Sequence, residues 1–410
     1  MIPLEEARAR VLADCHPPGH PAGRARARLD AALGLVLAED VDAGEAVPPF
    51  PSSAMDGYAV HASDIAGATG DHPVRLRVIG TLAAGGTPDV TVRRGEALRI
   101  MTGAPWPPGA DTVAIVETTR AAGGAGQVEV LAPAPAGAHV RPAGEDLTEA
   151  QRVFDRGTVL GPGHIGVLAS IGREEVAVVP APRVGVLSTG DELVEGGGAL
   201  RPGQIRDSNR PTLLALLRRD GFAAVDLGLA RDDEDGIRAR LTAGAERCDA
   251  MLTSGGVSMG DFDFVRKVLD ELGDMNWMQV AIRPAKPFAF GVLGGTPVFG
   301  LPGNPVSSMV SYELLARPGL RRLAGYPPDA QVRPPVKAVA DAPLARPSDG
   351  RTTYMRVVAR PGADGRLHAR SAGGQGSNLL WPMARANALA VLAPGRGVEA
   401  GEEVDVLVLE

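Results

Sequence analysis

Apolar residues along this chain change their rhythm several times, and the changes mark out its elements. Leu4, Ala7, Val11 and Leu12 recur at helical spacing behind Pro3, a residue suited to a first helical turn, so a helix is expected over residues 3–15. A second helical piece is expected near Arg28 to Leu33. Prolines at 48, 49 and 51 then stop any helix, and Ser52 to Tyr58 reads as a polar loop entering a strand. From His72 to about Val140 the pattern is short and alternating, as in VRLRVIG, ALRIM, TVAIV and QVEVL, with Gly and Pro turns between, which predicts a small β region. Residues 140–179 return to helix-and-strand character, with a helix over Pro162 to Ile171; packed against the N-terminal helix, this segment would make the β region an insertion.

After the linker Pro180-Ala181-Pro182, residues 183–326 alternate cleanly between strands and helices. The strand RVGVL, a helix through LLALLRR, the strand AAVDLGL and a helix near Ile237 to Arg247 come first. A strand through Met251 and Leu252, a glycine loop, a helix at Phe264 to Leu269, the strand MQVAI, the hairpin FAFGVLGGTPVFG and a last helix follow. Such alternation predicts an α/β sheet of mainly parallel strands with helices on both faces. Beyond Pro327-Pro328 the segments VKAVA, TYMRVVARPGADGRLHARSA, ALAVLAPG and EEVDVLVLE predict a small barrel or sandwich.

Composition narrows the classes. At 410 residues the chain suggests several domains, and 44% apolar residues with 53 Gly and 35 Pro fit a folded, turn-rich protein. A formal charge of -7 without a basic cluster argues against a nucleic-acid surface. Lysine occurs only at Lys267, Lys286 and Lys337, which sets Lys286 apart. Cys15 and Cys248 lack metal-ligand spacing and fit a reducing compartment. No run reaches membrane-spanning length, and the acidic start is unlike a signal peptide, so no membrane partner and a cytoplasmic location are expected.

The candidate chemistry lies in three loops, STGDE, SGGVSMGDFD and PGNPVSS, each following a predicted strand. Parallel strands would gather them at one carboxyl edge, where folds of this kind bind ligands. Backbone N–H groups of glycine loops near helix starts attract anions, and carboxylates beside them hold divalent cations. Three such loops with Glu192, Asp261, Asp263, Arg283 and Lys286 predict an anion-and-metal pocket rather than three unrelated turns. Taken singly, Asp56 before Gly57 reads as a turn former, Thr102 as a turn residue, and Arg356, Gln375 and Ser377 as ordinary surface positions. The tract Gly123 to Gly126 leads into a strand rather than a helix and is rejected as a dinucleotide loop.

In order along the chain, PPFPSSAMDGYAV, RIMTGAPWPPGADTV, RPAGEDL, RVGVLSTGDEL, SNRPTLLALL, LTSGGVSMGDFDFV, IRPAKPFAFG and FGLPGNPVSS resemble the molybdopterin molybdenumtransferases, the MoeA-type enzymes that include the homologous domain of gephyrin. The resemblance covers nearly the whole chain and is weakest after residue 330. It implies an elongated N-terminal domain of two segments (1–45 and 141–180), an inserted β domain (46–140), a three-layer α/β molybdopterin-binding domain (181–326) and a C-terminal β barrel (327–410). It also implies a homodimer with a composite active site, and a reaction in which adenylated molybdopterin receives molybdenum from molybdate with Mg²⁺ present and AMP released. The implied catalytic residues are Asp56, Thr102, Asp146, Glu192 and Asp263; Glu192, Asp261 and Asp263 are the implied metal ligands. Arg283, Lys286, Ser307, Arg356 and Ser377 match positions lining an oxyanion pocket. Ser188, Thr189, Gly190, Ser254, Gly255, Gly256, Ser258, Pro302, Gly303 and Asn304 would hold the molybdopterin phosphates. Molybdopterin adenylyltransferase and molybdoenzyme maturation proteins are the further partners implied. This chain departs from the family at Arg283-Pro284-Ala285-Lys286, where Lys-Pro-Gly-Lys is common. The resemblance therefore leaves the choice between molybdate and tungstate open.

Overall fold

A computed structural model of the protein describes residues 1–16, 25–122, 126–256, 264–346 and 348–409. Ser258, Asp261 and Asp263, and most of the Gly123 to Gly126 tract, lie outside the described residues. The architecture is multidomain, with mixed sheets and a closed C-terminal barrel.

A six-stranded sheet carries the β region, in the order Thr112–Ile115, Gly57–Val60, Glu96–Ile100, Val74–Leu82, Gln127–Val130 and Thr119–Ala121. Beside it, Glu175–Val179 pairs with Ala25–Arg28 on one side and Val36–Leu37 on the other, over a core of Leu37, Val41, Leu160, Leu168, Val176 and Val178. Residues 140–179 therefore pack against 25–43, not against the N-terminal helix as expected. That helix, Leu4–Asp14, buries Leu4, Ala7 and Val11 in the core of the α/β sheet. Its seat requires a backbone without a side chain: a Cβ on Gly319 would lie 2.9 Å from a Val11 methyl and 3.0 Å from the Cys15 sulfur. The second predicted helical piece is also corrected. Ala25–Arg28 is a strand and only Leu29–Ala31 makes a 3₁₀ turn, because the ladder to 175–178 overrides a weak local preference.

The α/β sheet runs Ala223–Ala230, Arg183–Thr189, Ala250–Ser254, Thr296–Leu301, Pro287–Leu293 and Asp274–Gln279. The first four strands are parallel; Pro287–Leu293 runs antiparallel to both its neighbours, so Asp274–Gln279 again points with the first four. Fully buried residues such as Val184, Val186 and Leu252 give the central strands their continuous apolar character. The last helix starts at Pro305, passes through a π-helical turn at Tyr312–Ala316 and continues to Leu323. The predicted strand MQVAI is split in the structure. Asp274–Gln279 stays in the α/β sheet, while Ile282–Arg283 pairs with Thr352 and Thr353 of the barrel. In the barrel, Thr352–Pro361, Leu367–Ser371, Val336–Ala340, Glu403–Val408 and Ala388–Leu392 follow one another, and Ala388–Leu392 pairs back to Thr352–Pro361. No helix among the described residues is long and apolar enough to cross a membrane.

Candidate active site

The three loops do meet. Strands ending at Thr189, Ser254 and Leu301 are neighbours in parallel register, so the chain turns out of the sheet three times at the same edge. The backbones then touch directly. Gly255 holds φ +96°, and a Cβ there would lie 3.0 Å from the Thr189 carbonyl oxygen, so glycine is what lets the first two loops close. The Gly255 amide donates to the Leu301 carbonyl at 3.1 Å, which ties in the third loop. Asn209, at the start of the helix Asn209–Arg219, donates through its side-chain amide to Ser254 Oγ (2.7 Å) and to the Gly303 carbonyl (2.6 Å). Ser188, Thr189 and Ser254 are buried, and Ser188 Oγ donates to Asp207 at 3.2 Å. Arg210 in turn holds Asp207 at 3.1 Å and Asp226 at 2.6 Å, and also contacts Glu195. Asn209, Asp207 and Arg210 form a brace that the reading by residues missed, because a polar residue before an apolar run reads as nothing more than a helix start.

Negative charge collects on one flank of the loops. Asp191 and Asp232 exchange backbone-amide to carboxylate hydrogen bonds at 3.3 and 3.2 Å. Burial, followed by the nearby Asp191 and Glu192, pushes the Asp232 carboxyl above its usual range. Hard carboxylate oxygens of this kind suit Mg²⁺. Among the described residues no group of three His, Cys, Asp or Glu side chains makes a complete cation site.

The opposite flank is cationic and belongs partly to the barrel. Arg356 is fully buried on the strand Thr352–Pro361. Its Nη2 donates to the Gly374 carbonyl at 2.6 Å, but Nε and Nη1 have no hydrogen-bond partner among the described residues. Burial lowers the guanidinium's affinity for its proton, yet arginine stays charged in proteins, so the strand carries a buried positive charge. Gln375 fixes the adjoining loop by accepting from the Arg356 amide at 3.0 Å and donating to its carbonyl at 3.1 Å. Two residues on, the Ser377 carbonyl accepts from the amide of Val306, the residue before the buried Ser307. Half-buried Arg283, across the ladder from Thr353, donates to Asp349 at 3.0 Å. Half-buried Lys286 lies beyond Ala285, whose φ is +76°. The structure thus links Arg283, Ser307, Arg356 and Ser377 through direct backbone pairings or short connections.

Asp56 and Thr102, 46 positions apart, are in contact: the Thr102 amide and hydroxyl donate to one Asp56 oxygen at 2.7 and 2.8 Å. These two bonds hold the Asp56 carboxyl below its usual range. Both residues are exposed, and within one chain no hydrogen bond among the described residues joins them to the three loops. Asp146 is exposed, its amide donating to the Val47 carbonyl at 3.0 Å.

A sheet edge with three glycine loops, one acidic flank and a buried cation on the other has the groups that suit a phosphorylated anionic ligand. Comparison with known proteins makes this specific. Residues 2–172 match the family described as "MoeA N-terminal region (domain I and II)", 185–322 the "Probable molybdopterin binding domain" and 337–409 the "MoeA C-terminal region (domain IV)". The chain is 37% identical over 410 residues to the molybdopterin molybdenumtransferase of Haemophilus influenzae, covering 99% of this chain and 98% of that protein. It is 39% identical over 356 residues to molybdopterin molybdenumtransferase 2 of Mycobacterium tuberculosis, with 85% of each covered. The crystal structure of the molybdopterin biosynthesis MoeA protein from Pyrococcus horikoshii superposes with a TM-score of 0.83 at 27% identity, over 100% of both chains. The chain belongs to the molybdopterin molybdenumtransferase family.

Proposed function

We propose that this protein acts in molybdenum cofactor biosynthesis as a molybdopterin molybdenumtransferase, moving molybdenum from molybdate to adenylated molybdopterin with release of AMP. Buried Arg356, with two nitrogens that have no partner among the described residues, is the observation that carries the reading. A doubly charged oxyanion is a ligand that such a group accepts through charge-assisted hydrogen bonds. In this reading Arg356, Lys286, Arg283, Ser307 and Ser377 receive the oxyanion. The backbone amides and hydroxyls of the loops at 188–190, 254–258 and 302–304 receive the molybdopterin phosphate and the anhydride. Glu192, together with Asp261 and Asp263, would hold Mg²⁺, which when bound neutralises charge on the leaving phosphate. The two sulfurs that take the metal come from the substrate, in keeping with Cys15 and Cys248 both being buried and with burial pushing the Cys15 thiol up to about 12. Asp56, Thr102 and Asp146 enter the site from the partner subunit of a homodimer. The protein works in the cytoplasm, beside the adenylyltransferase that makes its substrate.

The test is AMP release from adenylated molybdopterin by the purified protein with Mg²⁺, comparing molybdate, tungstate and no oxyanion. Molybdate-dependent release is expected, reduced at least a hundredfold in Arg356→Ala and in Glu192→Gln, in the range that removal of one charge-stabilising group costs. Release of pyrophosphate from ATP instead would make the protein an adenylyltransferase. Substrate binding with no release under any condition would make it a scaffold.

A further inference from the structure

Asp349 sits where several cations converge. Its Oδ2 accepts from Arg283 Nη1 at 3.0 Å and from Arg351 Nε and Nη2 at 3.0 and 2.5 Å. Its Oδ1 accepts from the Arg351 amide at 3.2 Å and lies 3.7 Å from Arg346 Nη2. Among the described residues, this one carboxylate faces the guanidinium groups of Arg283 and Arg351, with that of Arg346 nearby. Arg283 is 43% exposed at its side chain and Asp349 24%, so the pair sits at a mouth rather than in a core. Along the barrel strand, Thr353 opposite Arg283 and the buried Arg356 are three residues apart, or about 10 Å.

We infer that Asp349 is a positioning residue: it fixes the fork of Arg283 against the oxyanion pocket, and the Arg283–Asp349 pair sets which tetrahedral oxyanion the pocket prefers. The inference rests on the oxyanion reading of Arg356 and Arg283 given above. Its physical basis is the shape of the guanidinium. A lysine ammonium is one point of charge, and a carboxylate neighbour competes with any anion for it. A guanidinium has five N–H bonds in a rigid plane. Here Nη1 goes to Asp349, and the Nε–Nη2 edge of the same plane faces another way. Those groups present a second, flat hydrogen-bonding edge whose direction the carboxylate fixes. The distance between that edge and Arg356 then becomes a gauge of anion size, which a swinging lysine would not supply.

The sign of one substitution decides the matter. If Asp349 acted only through its charge, Asp349→Asn would remove a negative group near the pocket and tighten anion binding. If it positions Arg283, the same change loosens binding despite the gain in positive potential. Calorimetric titration of the purified full chain with molybdate, tungstate and sulfate, each variant checked by its thermal melt, is the experiment. Asp349→Asn is expected to weaken molybdate binding about tenfold, the loss of one charge-assisted contact, and to narrow the gap between molybdate and sulfate. In steady-state AMP release it should raise KM for molybdate more than it lowers kcat. Asp349→Glu should restore part of the affinity. In an Arg283→Lys background Asp349→Asn should add little, because contacting residues couple. Tighter molybdate binding in Asp349→Asn, or losses that simply add in the double variant, would overturn the inference while wild-type binding stands. No molybdate binding by the wild type, or binding indifferent to Arg356→Ala, would overturn the oxyanion reading itself. Should Asp349→Asn fail to fold, Arg283→Lys carries the test: an unaltered oxyanion ranking would sink the idea.

Discussion

Ala285 is a residue under strain. It is buried at φ +76°, a backbone region where a Cβ costs roughly 1–2 kcal/mol, and it stands where the family pattern that the sequence resembles implies glycine. Ala285→Gly is therefore expected to raise stability by about 1 kcal/mol, read as a higher urea midpoint at unchanged slope. Nothing in the sequence by itself shows that φ is positive there; the departure from a Lys-Pro-Gly-Lys pattern is the only sign. Other residues were legible to different degrees. The loops at 188–190, 254–256 and 302–304 could be placed together because parallel strands leave no other edge for them. Asp56 and Thr102 could not, because each alone is a good turn residue and their two hydrogen bonds span 46 positions. Arg356 looked like a surface residue on an alternating strand, and its total burial depends on barrel closure, which local pattern does not encode.

At the scale of elements, two junctions matter beyond the site. The first is under the π-helical turn, where Glu313, 3% exposed at its side chain, accepts from Arg219 Nη2 at 2.5 Å and Arg333 Nε at 2.9 Å. Arg219 also holds Asp220, which receives the Tyr312 hydroxyl at 2.8 Å and Arg317 Nε at 3.1 Å. This network joins the end of the helix Asn209–Arg219 to the last helix of the α/β sheet and, through Arg333 to the Val408 carbonyl, to the barrel. Removing one partner strands buried charge. Glu313→Leu is expected to cost roughly 3–5 kcal/mol in denaturant titration, more than a typical core truncation of that size. The helix pattern in LLALLRR showed the apolar face, but not that its terminal arginine turns inward.

The second junction is the barrel hairpin. His368 faces Asp341 at 2.6 Å through Nδ1 and Asp364 at 3.1 Å through Nε2, so both ring nitrogens meet carboxylates and the charged form is favoured. Hydrogen bonds to Asp341 and then Asp364 raise its pKa above the ordinary value. A raised histidine pKa contributes stability that is complete below about pH 6.5 and fades as pH climbs through the folded-state value. The difference in Tm between the wild type and His368→Gln is thus expected to be largest near pH 6 and to shrink toward pH 9; a gap that widened with pH would refute the assignment.

At the scale of the whole molecule, the exposed Asp56–Thr102 pair and the acidic flank at Glu192 belong to different sheets, and a homodimer is the proposed way to join them. A mixture of Asp56→Asn and Glu192→Gln chains, each inactive alone, is then expected to regain AMP release after subunits exchange, because each mixed dimer assembles one site from two intact halves. Sedimentation at the assay concentration checks that the mixed species is dimeric. The sequence pattern predicted the sheet, the inserted β region and a barrel or sandwich. It missed the handover at Ile282–Arg283, because a two-residue strand leaves no period to detect. That handover has an evolutionary consequence. The Pro327-Pro328 linker looks like a natural seam for exchanging modules between genes, but the ladder at Arg283 and Thr353 and the Val306 to Ser377 bond cross it in space. A barrel borrowed from a relative can serve this chain only if its long strand arrives in the same register, so the barrel and the α/β sheet should be inherited as one unit.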